Sequence, residues 1–122
     1  MTKTQHTRYR DLASYVTRDG SEIRELMHPS AHACRKQSLA EARVEPGGET
    51  RLHVHRETEE LYHVTGGVGL MTLDDRVFEI REGDTIAIAP GSAHRVRNTG
   101  GEPLVILCCC SPAYRHDDTE LL

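Results

Sequence analysis

The segment RLHVHRETEELYHVTGG, residues 51–67, places three histidines and three glutamates among residues that favour β-strands. A strand has a period of two, so His53 and His55 project from one face, about 7 Å apart, and Leu52 and Val54 project from the other. Two imidazoles in this arrangement can bind one ion. An isolated His-x-His pair is weak evidence for a metal site, because polar alternation is common on exposed strands. Further ligand residues elsewhere in the sequence are needed to predict one.

The remainder of the chain alternates between short strand-like runs and turns rich in Gly, Pro and Asp. Runs that recur at about 8 to 12 residues, without a long helical period, are typical of β-sandwiches and barrels. Asp19-Gly20 lies between two strand-like halves and predicts a hairpin near the N-terminus. Ala40, Ala42 and Val44 share one face of a further strand. We therefore predict an all-β fold in one domain.

Bulk composition excludes several function classes. The 122 residues suffice for one domain with a core, and the net charge is −4, with arginines interleaved among acids rather than collected into a stripe. This argues against a nucleic-acid partner. The longest apolar run, residues 104–110, is too short to span a membrane, and the N-terminus lacks the apolar segment of a secretory signal. We therefore expect a cytoplasmic protein without a membrane partner.

The four cysteines do not predict disulfides or a zinc knuckle. Cys108, Cys109 and Cys110 are consecutive, and Cys34 stands alone. Neighbours on a strand point to opposite faces, and there is no Cys-x-x-Cys pair. We expect reduced thiols that act as small buried hydrophobic side chains.

Further metal-ligand residue types follow the two histidines. Glu59 and Glu60 begin the next strand and supply a carboxylate, and His94 follows the Pro90-Gly91 turn. Three imidazoles and one carboxylate suit Mn, Fe, Co, Ni or Zn in the divalent state, and contain too much nitrogen for Mg or Ca. Four protein ligands leave an octahedral ion two positions for water, substrate or dioxygen.

The order and spacing of these residues resemble the cupin superfamily over roughly residues 38–110. The first cupin motif fits from Gly47 through His53 and His55, with Glu59 leading to Gly66 or Glu60 leading to Gly67. The second fits at Gly83, Gly91, His94 and Asn98, with Ala89 where a proline is expected. The stretch TEELYHVTGGVG is similar to small bacterial cupins in which the second glutamate is the ligand. This favours Glu60, and Glu59 remains the alternative.

The resemblance implies a single jelly-roll β-barrel of six to eight strands with an N-terminal hairpin. One divalent metal would be held inside it by His53, His55, Glu60 and His94. The chain would divide into an N-terminal extension and hairpin packed on the barrel (1–35), the cupin barrel (36–111) and a C-terminal tail (112–122). We expect the tail to be peripheral.

Strand parity adds two candidates for substrate contact. Tyr62 shares its parity with Glu60 and can point into the cavity, although a buried core tyrosine would look the same. Arg51 shares its parity with His53 and can hold a carboxylate or phosphate, or it can be an exposed residue at a strand end. His63 has the opposite parity to Glu60, so we expect it to face away. Tyr62 and the unused glutamate are the only nearby candidates for a general base.

Two functions are compatible with these residues. The first is a metalloenzyme acting on a small oxygen-rich substrate by dioxygenase, isomerase, decarboxylase or lyase chemistry; the alternative is a non-catalytic cupin that binds a sugar or an organic acid. The run LVILCCC is apolar on both faces, so its outer face needs a cover, either the hairpin or a second subunit. The chain resembles cupins of this size that are commonly dimers with the barrels packed side by side, and we predict a homodimer.

Overall fold

Regular structure in residues 4–122, the part of the chain that the structure describes, is almost entirely β-strand, as the turn spacing predicts. The structure is a computed structural model. Two short 3₁₀ helices span Tyr9–Asp11 and His116–Asp118, and neither is long and apolar enough to cross a membrane. The strands are β1 (Ser14–Val16), β2 (Glu22–Met27), β3 (Ser38–Val44), β4 (His53–His55), β5 (Glu59–Gly66), β6 (Val68–Leu73), β7 (Arg76–Arg81), β8 (Thr85–Ile88), β9 (His94–Asn98), β10 (Leu104–Ser111) and β11 (Thr119–Leu121).

The strands form two antiparallel sheets arranged as a jelly roll. One has the order β1-β2-β3-β10-β5-β8 and the other the order β11-β4-β9-β6-β7. Within the described residues, the two sheets are not closed into a barrel, so the predicted barrel is an open pair of sheets. There are also more strands than the six to eight expected, because the N-terminal hairpin extends the first sheet and β11 adds an edge to the second.

Strand alternation separates the apolar core from the outer surface. The predicted inner face of β3 is buried at all three positions: Ala40, Ala42 and Val44. Val64, Met71 and Leu104 have no exposed surface, and Ile106 is almost as completely buried. Each large apolar side chain buried in this way contributes about 1.5–3 kcal/mol. This core provides rigid walls on which polar side chains can be held between the sheets.

The predicted N-terminal hairpin forms around Asp19-Gly20. Gly20 has a φ of +95°, a conformation that favours glycine, and its N–H donates to the carbonyl of Thr17 at 3.0 Å. Strand β2 pairs onward with β3, so the hairpin continues the six-stranded sheet. The carbonyl of Asp19 accepts the N–H of Arg51 at 2.8 Å, which ties the hairpin turn to the segment that leads into β4.

The C-terminal residues are not the peripheral tail predicted from the sequence. Strand β11 pairs with β4, with Thr119 opposite His55. Asp118 is 3% exposed, and its two carboxylate oxygens accept the N–H groups of Glu57 and Thr58 at 3.0 and 3.1 Å. The prediction was wrong because this pairing joins positions 64 residues apart, which local patterning does not reveal.

The glycine between β5 and β6 distinguishes between the two ways of aligning the first cupin motif. Glu59 would lead to Gly66 and Glu60 to Gly67. Gly67 has a φ of +85°, and a Cβ there would lie 2.5 Å from the carbonyl oxygen of Pro103, whereas the nearest atom to a Cβ at Gly66 lies 4.0 Å away. Glycine is therefore required at position 67, which is the position that the motif spacing connects to Glu60.

Candidate metal centre

Three histidines from neighbouring strands converge between the sheets. His53 and His55 lie on the same face of β4, and His94 begins β9 directly opposite His53. They are 3%, 4% and 0% exposed. One ring nitrogen of each lies within 4.8 Å of the others, and the ring centroids of His53 and His94 are 4.2 Å apart. This confirms that the three predicted histidines form a possible metal site.

Backbone carbonyls fix the tautomers of two of these rings. Nδ1 of His53 lies 2.7 Å from the carbonyl oxygen of Arg51, and Nδ1 of His94 lies 2.9 Å from that of Ser92. Because a carbonyl oxygen only accepts hydrogen bonds, Nδ1 donates in both cases and Nε2 of the neutral ring carries the lone pair. Burial lowers the pKa of His53, and the neighbouring His94 lowers it further, which favours the neutral ring.

Thr119 fixes the tautomer of His55. The Thr119 hydroxyl donates its one proton to the carbonyl of Arg115 at 3.0 Å. The hydroxyl oxygen also lies 3.0 Å from Nδ1 of His55. Because the hydroxyl proton is already used, the oxygen accepts this second hydrogen bond and Nδ1 of His55 donates it. His55 then also presents its Nε2 lone pair. All three histidines are thus held in the form that binds metals, with the other ring nitrogen anchored by a hydrogen bond.

Glu60 adds a buried carboxylate from β5. Its Oε1 lies 3.3 Å from Nε2 of His55 and 3.4 Å from Nε2 of His94. Its Oε2 accepts a hydrogen bond from the thiol of Cys110 at 3.2 Å. Burial raises the pKa of the Glu60 carboxyl, and only a donated proton or a positive charge at His55 and His94 would lower it to about 2. Because Nδ1 of both rings donates and Nε2 presents a lone pair, a bound cation would supply the positive charge that keeps Glu60 a carboxylate.

These donor atoms fit a divalent transition metal. Within residues 4–122, Oε1 of Glu60 and Nε2 of His94 are buried without a hydrogen-bond partner. Both atoms offer only lone pairs, so they cannot satisfy each other, and a buried unpaired group costs about 1–3 kcal/mol. A cation accepts lone pairs from the three imidazoles and the Glu60 carboxylate at the same time. The nitrogen-rich set suits Mn, Fe, Co, Ni or Zn.

Tyr62 lies inside the cavity beside these groups. It is 7% exposed, and its ring centroid is 5.8 Å from that of His94. Burial raises the pKa of the Tyr62 phenol, and the charge of Glu60 raises it further, so the hydroxyl keeps its proton. Its position suits hydrogen bonding to a bound molecule, and its role as a substrate contact stays a prediction.

Three other candidates lie on the surface. Glu59, Arg51 and His63 are exposed, and none of them lines the cavity. The outward direction of His63 agrees with its predicted parity, and its Nδ1 lies 2.7 Å from the hydroxyl of Thr85. The exposed position of Arg51 matches the strand-end alternative and gives its predicted cavity role no support. Its carbonyl, rather than its guanidinium, contacts the site.

Three residues that contact the ligand groups were missed by sequence reasoning: Asp19, Cys110 and Thr119. Oδ2 of Asp19 lies 3.7 Å from Nε2 of His53, although the sequence indicates only a hairpin turn there. Cys110 was interpreted as a hydrophobic residue, and its thiol instead contacts Glu60 across the β10–β5 pair. Thr119 lies in the segment predicted to be peripheral. Only the strand register could have indicated Cys110, and no local pattern indicates the other two.

The site opens into a cavity of about 50 Å³ between the sheets. The hairpin contributes much of its wall, including the carboxylates of Asp19 and Glu25 and the hydroxyl of Tyr15. Within the described residues, neither lysine nor arginine lines it. The cavity is therefore small, with mostly apolar walls, and its few charged groups are carboxylates.

Comparison with known proteins identifies the family. The model of the cupin domain matches residues 40–110. Uncharacterized protein MJ1618 of Methanocaldococcus jannaschii is 52% identical over 116 residues, which are 95% of this chain and 93% of that protein.

Two solved structures share the fold. A predicted oxalate decarboxylase from Thermotoga maritima has a TM-score of 0.78 at 21% identity, over 88% of this chain and 99% of that one. Bacillus subtilis oxalate decarboxylase, in a structure concerned with its Mn(II) centres, has a TM-score of 0.76 at 25% identity, over 88% of this chain and 29% of that one. Because the domain model spans more than half of the chain, and the archaeal relative nearly all of it, this chain belongs to the cupin family.

Proposed function

We propose that this cupin is a metal-dependent enzyme that acts on a small oxygen-rich molecule by dioxygenase, isomerase, decarboxylase or lyase chemistry. The observation that carries the proposal is the set of facing lone pairs in a buried cavity, where Oε1 of Glu60 and Nε2 of His94 lack any hydrogen-bond partner among the described residues. Apolar side chains would fill the same volume at a lower free-energy cost, so these groups favour a functional role.

Four residues would hold the ion: His53, His55, His94 and Glu60. Glu59, the alternative left open by the spacing, is exposed, which favours Glu60. When bound, a divalent ion would act as a Lewis acid toward a substrate oxygen and lower the pKa of bound water. Thr119 would keep the ring of His55 in its binding tautomer, and the thiol of Cys110 would keep Oε1 of Glu60 turned toward the imidazoles.

Mn(II) is the first metal that we propose for this site. The structural neighbour from Bacillus subtilis is described by its Mn(II) centres. A set of three imidazoles and one carboxylate also suits Fe, Zn, Ni or Co, and availability in the cell decides among such metals as much as affinity does.

The charges in the cavity favour a neutral, hydroxyl-rich substrate. Three carboxylates, those of Asp19, Glu25 and Glu60, face the same small space, and within residues 4–122 no lysine or arginine lines it. Oε2 of Glu25 is buried without a hydrogen-bond donor, while Oε1 accepts the hydroxyl of Tyr15 at 3.0 Å. A substrate hydroxyl would supply the missing donor, whereas a second carboxylate group placed beside Glu25 would meet repulsion even when the ion offsets the charge of Glu60.

The test is a binding and turnover panel with Mn(II)-loaded protein. We expect calorimetry to detect small sugars and enediols, and to detect oxalate and malonate more weakly or not at all. Product formation would be followed by NMR and an oxygen electrode, with His94→Ala as the control that removes a ligand. Tighter binding of oxalate than of every neutral compound would contradict the proposed substrate class.

The alternative, a non-catalytic binding cupin, is favoured by one observation. Burial keeps the Tyr62 phenol protonated, and Glu59 lies outside the cavity, so neither predicted general base is suited to accept a proton there. A compound that binds to the metal-loaded protein and is recovered unchanged after prolonged incubation would favour this alternative. Metal-dependent conversion of any panel member would exclude it.

We also propose a homodimer formed through the outer face of the six-stranded sheet. Leu39, Cys109, Leu61 and Ala87 are neighbours across β3, β10, β5 and β8, and Leu39 and Leu61 are 37% and 43% exposed. The hairpin extends this sheet sideways rather than covering the stripe. A second copy would bury it. Light scattering should give twice the chain mass for the wild type and the monomer mass for Leu61→Glu; a monomeric wild type would contradict the proposal.

A cytoplasmic location with reduced thiols is the last part of the proposal. All four cysteines, Cys34 and Cys108 to Cys110, are free, as is usual for proteins of a reducing compartment. Recovery of the native protein in the soluble cytosolic fraction, with four titratable thiols after denaturation, is the expected result.

A further inference from the structure

The turn of the N-terminal hairpin brings one more carboxylate to the metal centre. Oδ2 of Asp19 lies 3.7 Å from Nε2 of His53, and the Asp19 side chain is 12% exposed. Asp19 also lines the cavity into which the ligand atoms face. It lies outside both cupin motifs, in a segment that precedes the matched domain at residues 40–110.

Hydrogen bonds fix the direction of this carboxylate. Oδ1 of Asp19 accepts the backbone N–H of Ser21 at 3.0 Å and the Ser21 hydroxyl at 2.7 Å. The carbonyl of Asp19 accepts the N–H of Arg51, whose own carbonyl holds Nδ1 of His53. The hairpin turn and the His53 ring are therefore anchored to the same residue, with Oδ2 left to face the ring.

Asp19 and His53 cannot satisfy each other in the neutral tautomer. Because Nδ1 of His53 donates to the carbonyl of Arg51, Nε2 has only a lone pair, and a carboxylate oxygen is also only an acceptor. The same mismatch holds for Oε1 of Glu60 against His55 and His94. Two carboxylates thus approach the imidazole cluster with no proton to share, which a cation between them would resolve.

The separations agree with ligands of one ion. Two atoms that each lie about 2.1 Å from an ion are about 3.0 Å apart at a right angle and about 4.2 Å apart on opposite sides. The contacts of Glu60 with His55 and His94, at 3.3 and 3.4 Å, fall in this interval, and so does the 3.7 Å contact of Asp19 with His53. Among the described residues, the group of ligand atoms that all lie within 4.8 Å of one another consists of the three histidines, so both carboxylates would turn further toward the ion on binding.

We propose that Asp19 is a fifth protein ligand of the metal, supplied by the N-terminal hairpin. The proposal rests on the proposed metal centre of His53, His55, Glu60 and His94. One of the two positions left open by those four ligands is then filled, so a single position remains for a substrate oxygen while the hairpin stays in place. Metal binding would also fasten the hairpin turn to the strands.

The test uses the full-length protein freed of metal and then loaded with Mn(II). Asp19→Asn is the main variant, because the amide oxygen can still accept the Ser21 bonds while the charge is lost. Asp75→Ala, an exposed aspartate in the turn between β6 and β7, is the matched control. Affinity is measured from the EPR signal of free Mn(II), and the number of water ligands from water-proton relaxation by the bound ion.

We expect bound Mn(II) to keep one water ligand in the wild type and two in Asp19→Asn, whose dissociation constant rises at least about tenfold. The Asp75→Ala control should match the wild type. Two water ligands in the wild type, or unchanged affinity in Asp19→Asn, would overturn the proposal. His94→Ala separates the two failures: if it still binds Mn(II) like the wild type, the metal centre itself is wrong, whereas if it loses Mn(II) and Asp19→Asn does not, only the role of Asp19 is wrong.

Discussion

The metal site has two sides that differ in how the chain builds them. The strand side consists of His53, His55, Glu60 and His94, which lie on β4, β5 and β9. The accessory side consists of Asp19, Cys110 and Thr119, which reach the same groups from the hairpin, β10 and β11. Strand period and motif spacing direct the first side, whereas pairing between distant segments brings in the second. The ligand types therefore depend on local sequence, and their orientation depends on topology.

Removal of a strand-side ligand should have the largest effect. His94→Ala deletes a fully buried imidazole whose Nε2 has no other partner among the described residues. We expect metal affinity to fall more than about a hundredfold, so that elemental analysis finds almost no ion after dialysis. His63→Ala, which removes an exposed histidine from β5, is the control and should bind like the wild type. Equal metal content in both variants would show that His94 is not a ligand and that the strand side does not hold the ion.

The adjacent glutamates offer a sharper comparison on the strand side. Glu60→Gln removes a buried charged oxygen that faces two imidazoles, and Glu59→Gln alters an exposed side chain on the same strand. The expected loss of affinity is at least about tenfold for Glu60→Gln and none for Glu59→Gln, as measured by calorimetry. The reverse order would mean that the shorter motif spacing is correct.

On the accessory side, Thr119→Val should have a smaller effect. The substitution keeps the shape of the side chain but removes the oxygen that accepts Nδ1–H of His55. Loss of such an anchoring group typically weakens metal binding by about 10–100-fold, and we expect the lower end. Thr85→Val removes the hydroxyl beside the exposed His63 and is the matched control. An effect as large as that of His94→Ala would place Thr119 among the essential groups.

The smallest effect is expected at Asp118, which anchors the segment that carries Thr119. Asp118→Asn weakens two hydrogen bonds to backbone N–H groups and should cost about 1–2 kcal/mol of unfolding free energy at pH 7. Burial raises the pKa of Asp118, but those N–H groups lower it more, so its folded pKa lies below the unfolded value. Its contribution is therefore complete above the unfolded pKa and disappears as pH falls through the folded pKa.

Urea titrations at neutral and acidic pH would measure this difference. The gap between wild type and Asp118→Asn should close as the solution is acidified below about pH 4. Asp117→Asn, at a neighbouring side chain that is 82% exposed, is the control and should be nearly neutral at both pH values. A gap that stays constant with pH would show that the carboxylate charge contributes nothing.

Sequence patterns predict most of the strand side and little of the accessory side. The period of two on β4 predicts that His53 and His55 share a face, and a turn followed by a strand places His94 at a strand start. The preference for Glu60 over Glu59 depends on which of the two side chains is buried beside the imidazoles, and the motif spacing does not decide this. Thr119 meets His55 across 64 residues, and the hairpin turn predicted at Asp19 contains no information about what it approaches. Contacts of this kind depend on sheet order, which a single sequence does not specify.

The most direct test of the account is a crystal structure of the metal-loaded protein with anomalous diffraction at the absorption edge of the bound metal. We predict a single ion at ligand distance from Nε2 of His53, His55 and His94 and from Oε1 of Glu60. An ion bound by Glu59, or none at the three imidazoles under saturating metal, would contradict the central claim that the buried lone pairs of this cupin form a metal centre.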